Sequence, residues 1–284
     1  MDQIKKDDTA FSSIDLVCQC LIDSEKAEAF ENALKKIIKP THTVLDIGTG
    51  SGVLALLAAR AGANKVIALE FDPYIANTAC ANIKNNHYEK KVSVICDDAR
   101  NIIFPPKTYF DVVVMEMLTT GMVDEFQVQA INNLHRQKVI DENTVLIPQR
   151  QETYVSLANT NFENYGFNMK MVRHLWSHDR NDGLVNVLSH KVLLNNVDFS
   201  KPVEEFFLTV LTVVAIKDGR VNSIYLTSKT IVDDSNVLES THSLNASVVI
   251  PFEDCDVKKG EKVRLEIGYR FGYGYGQFVV KKMI

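Results

Sequence analysis

The sequence predicts an α/β fold in which a doubly wound, Rossmann-like parallel sheet is followed by an antiparallel, β-barrel-like domain. Two observations lead to this prediction. Before Pro148, short β-type runs alternate with helical stretches, which is the pattern of a parallel sheet with helical crossovers. After Pro148, β-type runs dominate, and turn-prone segments rich in glycine separate them. We therefore expect two domains, residues 1–148 and residues 149–284.

The first strand–helix–strand unit is the clearest of the predicted elements. Residues 43–47 form a short apolar, β-branched run, and residues 53–61 have the alanine and leucine content of a helix that packs on a sheet. Residues 62–64 end that helix with turn chemistry, and residues 65–70 form the next β-type run. This order predicts a βαβ unit, whose two strands lie side by side and in parallel.

The turn between the first strand and its helix is rich in glycine and reads Asp46-Ile47-Gly48-Thr49-Gly50-Ser51-Gly52. Glycines let a ligand approach the backbone more closely than any side chain would permit. Glu70 follows eighteen residues after Gly52, at the end of the second strand, where a carboxylate suits a ribose diol. Together these features predict a site for a nucleoside-bearing cofactor.

The spacing of the glycines distinguishes between two cofactors that carry adenosine, NAD and S-adenosylmethionine. The NAD motif is G-x-G-x-x-G, whereas Gly48, Gly50 and Gly52 alternate, so a pyrophosphate is not indicated. A third strand in residues 92–99 ends in acids, where a carboxylate can accept from the adenine amino group. For Asp97 and Asp98 alike, a solvated turn or a helix N-cap is the alternative. The order of these features resembles the class I S-adenosylmethionine-dependent methyltransferases.

Composition and charge bound the class of protein. A chain of 284 residues, 46% hydrophobic and 24% charged, suits one large or two ordinary globular domains. We see neither a membrane-spanning run nor a secretory signal, and the five scattered cysteines suit a reducing compartment, so we expect a cytoplasmic protein. A net charge of −5 disfavours broad binding to nucleic acid and suits a cationic substrate. Cys18 and Cys20 lack a matching pair at metal-ligand spacing, so we expect no metal.

Two glutamates border the loop that follows the fourth predicted strand. Glu116 ends the run in residues 110–115, and Glu125 follows nine residues later, at the start of a predicted helix over residues 124–134. The loop is long enough to bring both carboxylates to one pocket, where they can clamp a planar cation. The alternative is that Glu116 caps the following helix and Glu125 lies on a solvated surface.

The paired glutamates make the chain similar to the protein arginine N-methyltransferases. In that family, too, two glutamates nine residues apart follow a strand that ends in Val-Val-Met. Later segments resemble the family in the same order, so the resemblance covers nearly the whole chain. These segments are Leu146-Ile147-Pro148, residues 164–169, Thr241-His242 and residues 257–261.

The resemblance implies a two-sided site for direct, in-line methyl transfer from S-adenosyl-L-methionine to a nitrogen, with no metal and no covalent intermediate. On the cofactor side, the family pattern maps to Lys26, Asp46, Gly48, Thr49, Gly50, Gly52, Glu70, Asp98, Ala99 and Glu116. Within this set, the methionine portion of the cofactor corresponds to the glycine turn with Asp46, the ribose to Glu70, and the adenine to Asp98 and Ala99. On the acceptor side, Glu116 and Glu125 would hold a guanidinium group. His242 would bond to an acid of the N-terminal helix such as Asp23, with a surface histidine as the alternative.

Several positions depart from the family pattern on the cofactor side. Lys26 stands where the family has an arginine that binds the cofactor carboxylate, and a lysine supplies charge without a bidentate fork. An exposed helical lysine is the alternative for this position. Phe11 replaces a tyrosine of the helix that covers the cofactor, and Ser243 replaces the tryptophan after the threonine-histidine pair. We therefore expect cofactor binding in an altered form.

The acceptor side also departs from the family. Cys20 and Gln127 stand in place of methionines that shape the substrate pocket, and Met117 stands in place of a tryptophan. Residues 174–198, where the family has its dimerisation arm, are short and polar, so we expect a shortened or absent arm. The pocket is therefore rebuilt relative to the family.

These observations lead to one expected function and two alternatives. We expect an S-adenosylmethionine-dependent N-methyltransferase that acts on the arginine of a protein or peptide. The alternatives are an N-methyltransferase for small amines or specialised peptides, and a catalytically idle scaffold that binds cofactor or partner. Intact Glu70, Glu116 and Glu125 argue against a scaffold. We expect no nucleic-acid or membrane partner, and the sequence leaves the oligomeric state open.

Overall fold

The structure, a computed structural model, describes residues 14–176, 183–240 and 245–283. These residues form helices in the first half of the chain and strands throughout. The helices are α1 (Ile14–Ile22), α2 (Ser24–Ile37), α3 (Val53–Arg60), α4 (Pro73–Asn85) and α5 (Gln127–Gln137), with 3₁₀ turns at Thr120–Met122 and Tyr275–Gln277. No helix in these ranges is both long and apolar enough to cross a membrane.

A five-stranded parallel sheet forms the first half of the chain. Its strands are β1 (Thr43–Ile47), β2 (Lys65–Glu70), β3 (Val92–Cys96), β4 (Val112–Met115) and β5 (Val145–Ile147). Their order across the sheet is β3-β2-β1-β4-β5, and each neighbouring pair is parallel. The order reverses between β1 and β4, which is where ligands bind in open parallel sheets. The predicted doubly wound fold is therefore confirmed.

Helix starts in this half follow from local capping. Asp23 precedes α2, and its carboxylate accepts the backbone N–H of Lys26 at 3.1 Å. Asp72 precedes α4 and accepts the N–H groups of Tyr74 and Ile75, while Pro73 occupies the first helical position. Both arrangements satisfy N–H groups that have no partner inside the helix.

The helix predicted over residues 124–134 begins later than expected, at Gln127. Glu125 therefore lies in the loop before α5 and not in its first turn. The backbone there is held elsewhere, because the carbonyl oxygens of Met122 and Val123 accept N–H groups from Gly272 and Gly274. The predicted helix over residues 124–134 was therefore wrong for its first three residues.

Antiparallel strands follow the parallel sheet. The long strands are β6 (Arg150–Thr160), β11 (Val192–Asp198), β12 (Phe206–Val214), β13 (Gly219–Ile231), β15 (Val248–Val257), β16 (Lys262–Arg270) and β17 (Val279–Met283). The short ones are β7 (Glu163–Asn164), β8 (Phe167–Asn168), β9 (Arg173–His174), β10 (Val185–Val187) and β14 (Val237–Glu239). The prediction that β-type runs dominate after Pro148 is confirmed by these strands.

The core joins the two halves. One apolar cluster runs from Leu45 and Met115 of the parallel sheet, through Ile131 of α5, to Val155 and Leu265 of the antiparallel strands. A second cluster packs α2 and α3 on the opposite face of the parallel sheet. Helix α5 therefore lies between the parallel sheet and the antiparallel strands, and the loop that leads into it borders both.

Candidate active site

A cavity of about 710 Å³ lies at the carboxyl ends of β1, β2 and β4. Helices α1 and α2, the loop before α5 and the turn after β16 complete its walls. Nine of the residues predicted for the site line this cavity. They are Lys26, Gly48, Thr49, Gly50, Glu70, Asp98, Ala99, Glu116 and Glu125.

The glycine turn forms one wall of the cavity. Gly48, Gly50 and Gly52 all have positive φ, at 70°, 53° and 85°, which side chains other than glycine's rarely permit. A Cβ atom at Gly48 would lie 2.8 Å from Cγ of Met117, so the turn also requires glycine for space. Gly52 does not line the cavity; it caps α3 and packs near Ala79. The first two glycines therefore present backbone to a ligand, and the third shapes the turn.

Asp46 lies beneath the turn and outside the cavity lining. It is fully buried, and its Oδ2 accepts the hydroxyl of Thr49 at 2.6 Å. Burial raises the pKa of Asp46 to about 7. The carboxylate of Asp46 therefore supports the turn from below, and its expected part in positioning the methionine portion of the cofactor stays a prediction.

Glu70 lies at the tip of β2, as predicted. Its Oε2 accepts the N–H of Gly50 at 2.9 Å, and its Oε1 accepts the N–H of Asp72 at 3.0 Å. Burial raises the pKa of Glu70, while these two N–H groups act in the opposite direction. Each carboxylate oxygen has two lone pairs, so Glu70 retains acceptor capacity for hydroxyl groups.

Asp98 and Ala99 border the cavity, but the carboxylate of Asp98 already has partners. Arg100 Nε lies 2.9 Å from both oxygens of Asp98, and the N–H of Arg100 donates to Oδ1 at 2.9 Å. Burial, which would raise the pKa of Asp98, is outweighed by these bonds, and the pKa is lowered. Asp97 is exposed and accepts the N–H of Asp98. The turn interpretation fits both acids, Asp98 still borders the cavity, and its expected bond to adenine stays a prediction.

Lys26 and Glu116 form an ion pair inside the cavity. Nζ of Lys26 lies 2.9 Å from Oε1 of Glu116, and both side chains are almost fully buried. Burial would lower the pKa of Lys26, but attraction by Glu116 outweighs it and raises the pKa above its usual range. The interpretation of Lys26 as an exposed helical lysine was wrong, and so was that of Glu116 as a helix cap.

Glu125 faces the same cavity from the loop before α5. Burial, followed by repulsion from Glu116 and Asp124, raises the pKa of Glu125 to about 8. Two carboxylates therefore border one pocket: Glu116 is paired with Lys26, and Glu125 keeps its proton to a higher pH than an ordinary glutamate does. The alternative of a solvated Glu125 was wrong, since the side chain lies against the cavity.

Other residues of the predicted acceptor side have mixed outcomes. Cys20 and Met117 line the cavity, and Oε1 of the buried Gln127 accepts the N–H of Met117 at 3.2 Å. His242 lies outside the described residues, as do Phe11 and Ser243. The predicted bond between His242 and Asp23 therefore stays a prediction.

Sequence reasoning missed the aromatic rim of the cavity. Phe126 packs edge-on against Tyr273 with their ring centroids 5.8 Å apart, and Arg100 lies 4.1 Å over the Phe126 ring. Gly272 and Gly274, beside Tyr273, also line the cavity. Residues 271–276 alternate aromatic residues with glycine, and the glycines of such segments served only to predict turns.

The residues present fit S-adenosylmethionine. The glycine backbone accommodates a close ligand, Glu70 retains acceptor capacity for a ribose, and Lys26 offers a buried cation for a carboxylate. Within residues 14–176, 183–240 and 245–283, no three His, Cys, Asp or Glu side chains are grouped to hold a metal ion. The cavity lining offers a ligand several carboxylates, the cations of Lys26 and Arg100, the thiol of Cys20 and backbone N–H groups.

Known proteins match both the sequence and the fold. Residues 30–174 match the family model described as ribosomal protein L11 methyltransferase (PrmA). An uncharacterized protein of Methanocaldococcus jannaschii is 32% identical over 254 residues, which cover 89% of this chain and 90% of that protein. The arginine N(omega)-methyltransferase of Streptomyces achromogenes subsp. streptozoticus is 29% identical over 143 residues, 49% of this chain and 39% of that protein.

The fold also matches a solved structure over nearly its whole length. The Trypanosoma brucei PRMT1 enzyme–prozyme heterotetrameric complex with AdoHcy has a chain that superposes with a TM-score of 0.75. The two chains share 16% identity, and the match covers 96% of this chain and 98% of that one. The family match covers about half of the chain and includes the parallel sheet and both glutamates. The chain therefore belongs to the PrmA methyltransferase family, and it is a class I S-adenosylmethionine-dependent methyltransferase that resembles the protein arginine methyltransferases.

Proposed function

We propose that this methyltransferase transfers its methyl group to an arginine guanidinium of a protein or peptide. The observation that carries the proposal is that Glu116 and Glu125 border the same cavity as the glycine turn and Glu70. A guanidinium group is planar and carries N–H donors on every side, so two carboxylates can hold it in one orientation. The acceptor nitrogen and the methyl donor would then meet in one cavity.

The charges around the cavity support a cationic acceptor. Glu116 and Glu125 are joined there by Asp124, and in the described part of the lining only Lys26 and Arg100 are basic. Both basic side chains are already bonded to carboxylates, Lys26 to Glu116 and Arg100 to Asp98. A bound guanidinium would stabilise the ionised form of Glu125, whose pKa is raised when the site holds no cation.

The mechanism that follows is a single displacement. When bound, S-adenosylmethionine supplies a methyl group on a positively charged sulfur, which leaves as a neutral thioether. Glu116 and Glu125 orient the acceptor so that its nitrogen lone pair points at the methyl carbon, and such positioning contributes roughly 7–11 kcal/mol in well-aligned reactions. The nitrogen–carbon bond forms as the carbon–sulfur bond breaks. The proton that the nitrogen loses can pass to the carboxylate of Glu125, which a bound guanidinium holds in its ionised form and which borders the same cavity.

The cofactor side and the acceptor side are assigned to different parts of the chain. We assign the glycine turn, Glu70 and Lys26 to the cofactor, within residues 1–148. Residues 149–284 are assigned to acceptor binding, since Tyr273 and its neighbouring glycines wall the side of the cavity that holds Glu125. The name of the Streptomyces relative, an arginine N(omega)-methyltransferase, supports a guanidinium acceptor.

A methyl-transfer assay with labelled cofactor tests the proposal. The protein is incubated with a peptide that contains one arginine, with the same peptide carrying lysine at that position, and with free arginine. We expect label on the arginine peptide only, with mass spectrometry placing the methyl group on the guanidinium. Label on the lysine peptide at an equal rate would contradict the proposed acceptor.

A small-molecule acceptor is the second candidate, and the altered pocket favours it. Cys20, Met117 and Gln127 replace bulkier or thioether side chains of the family pattern, so the pocket need not have kept the same partner. Free arginine and small amines are therefore included in the same assay. Transfer to free arginine without transfer to the peptide would favour this candidate, and cofactor binding without any product would favour an idle scaffold.

A further inference from the structure

The loop between Glu116 and Glu125 has a backbone that its own sequence does not favour. Gly121 has φ of 77°, and Met122, which follows it, has φ of 51°. The left-handed region is open to glycine but unfavourable for a side chain such as that of Met122. Such a conformation persists where the surrounding structure imposes it, and it concentrates at functional sites.

The surrounding structure here is the antiparallel half of the chain. Four carbonyl oxygens in the loop accept hydrogen bonds from residues that lie more than twenty-five positions further along the chain. The pairs are Gln151 Nε2 with Thr119 O at 2.8 Å, Tyr269 OH with Gly121 O at 3.0 Å, Gly272 N with Met122 O at 3.0 Å, and Gly274 N with Val123 O at 2.8 Å. The loop is therefore held in place by contacts that the parallel sheet does not supply.

Tyr269 is the side chain at the centre of this arrangement. It is fully buried, and its ring stacks on Phe278 with centroids 5.0 Å apart and packs edge-on against Phe271 at 5.2 Å. Its hydroxyl oxygen accepts Nδ2 of Asn195 at 2.6 Å, which leaves the hydroxyl hydrogen for the carbonyl of Gly121. The donor is thus fixed in position and in orientation.

We propose that Tyr269 is a positioning residue of the acceptor site, which it serves by holding Gly121 and so fixing where Glu125 stands relative to Glu116. This inference rests on the proposed function, in which those two glutamates hold the acceptor. Gly121 lies five residues after Glu116 and four before Glu125, so a shift at its carbonyl is transmitted to the loop between them. The glycine turn and Glu70 lie on other elements and keep their own contacts.

The proposal separates acceptor binding from cofactor binding, and Tyr269→Phe tests that separation. The variant keeps the ring and removes only the hydroxyl. We expect kcat/KM for the acceptor to fall about 10-fold or more, because small misplacements of positioned groups have large effects on rate. The dissociation constant for S-adenosylhomocysteine, measured by calorimetry, should stay within about 2-fold of the wild-type value, since no cofactor-side contact changes.

Tyr154→Phe is the matched control. Tyr154 belongs to the same half of the chain, and its hydroxyl donates to Glu152 at 2.6 Å, away from the loop. This variant loses one phenolic hydrogen bond without touching Gly121, so its kinetic constants should match those of the wild type. A fall in both variants would show that any lost tyrosine hydroxyl in this half impairs the enzyme, and it would overturn the proposal.

Two further results decide whether Tyr269 positions the acceptor site. Unchanged acceptor kcat and KM in a Tyr269→Phe protein that still binds cofactor would overturn the proposal. If that variant does not fold, Asn195→Ala replaces it, because it keeps the phenol and removes only the donor to its oxygen. A fall of about 3-fold in acceptor kcat/KM with unchanged cofactor binding is then expected, and no fall would overturn the proposal.

If the wild type methylates another amine in place of arginine, the proposed function fails, and the same comparison is made with that amine.

Discussion

Lys26 Nζ and Glu116 Oε1 lie 2.9 Å apart in the lining of the cavity, and their ion pair joins α2 to the end of β4. The two residues are ninety positions apart in the chain. Burial leaves little water to solvate either group, so each charge is stabilised mainly by the other. The pair links the cofactor half of the site to its acceptor half, since Lys26 suits a cofactor carboxylate and Glu116 suits a cationic acceptor.

Removing the lysine of this pair should destabilise the protein. Lys26→Met leaves the carboxylate of Glu116 buried without its cation, which typically lowers the free energy of unfolding by about 3–5 kcal/mol. Chemical denaturation measures the change, with Lys35→Met as control. Lys35 is exposed and pairs with Glu31 on the surface of α2, so its loss should lower the free energy of unfolding by less than about 1 kcal/mol. Equal losses in the two variants would contradict the buried pair.

The glycine turn gives a second prediction, for Gly48→Ala compared with Gly62→Ala. Both glycines have positive φ, at 70° and 109°, so alanine is strained at either position. Only at Gly48 would the new Cβ meet another side chain, at 2.8 Å from Met117; nothing lies within 4 Å of it at Gly62. We expect calorimetry to show about 10-fold weaker cofactor binding for Gly48→Ala and an unchanged dissociation constant for Gly62→Ala. Weakening in both would mean that general strain, and not the shape of the turn, controls affinity.

The raised pKa of Glu125 predicts how stability depends on pH. Its pKa is about 8 in the folded protein against 4.5 for an unperturbed glutamate, with burial as the main cause. Between these values the folded protein holds a proton that the unfolded chain has lost, so the free energy of unfolding falls as pH rises towards 8. A glutamine at position 125 cannot titrate, so this fall in the free energy of unfolding is absent from the Glu125→Gln variant.

Thermal unfolding of the cofactor-free protein measures this effect. The Tm of Glu125→Gln minus the Tm of the wild type should increase by about 2 °C or more between pH 5.5 and pH 9. Asp46, whose pKa is also raised, is present in both proteins, so its own titration cancels in the difference. A Tm difference that stays constant with pH would show that Glu125 is ionised throughout.

Much of the fold was predictable because it follows from local sequence. The alternation of apolar runs and helices marked β1 to β4, and the glycines at positions 48, 50 and 52 marked the turn, since a positive φ leaves a clear signature in residue type. Glu70 was placed correctly because a strand fixes the position of its last residue. These features need only short-range information.

What could not be predicted depends on contacts between distant parts of the chain. Arg100 engages Asp98, and no pattern in residues 92–101 distinguishes that bond from a free carboxylate. The start of α5 moved past Glu125 because glycines about 150 residues later bind the loop before it. The same applies to Tyr269, whose hydroxyl meets Gly121 only once the antiparallel strands have folded against the parallel sheet.

Glu125→Gln tests the central claim, that one cavity has a cofactor side and an acceptor side. The variant keeps the shape of the side chain and removes the negative charge that Glu125 carries when a guanidinium is bound. Glu142→Gln, at an exposed position in the same half of the chain, is the control. Cofactor binding by calorimetry and methyl transfer to an arginine peptide are measured on the same protein samples. We predict that transfer falls at least about 100-fold in Glu125→Gln while the cofactor dissociation constant changes by less than about 3-fold. Parallel loss of cofactor binding and transfer, or full transfer by the variant, would contradict the two-sided site.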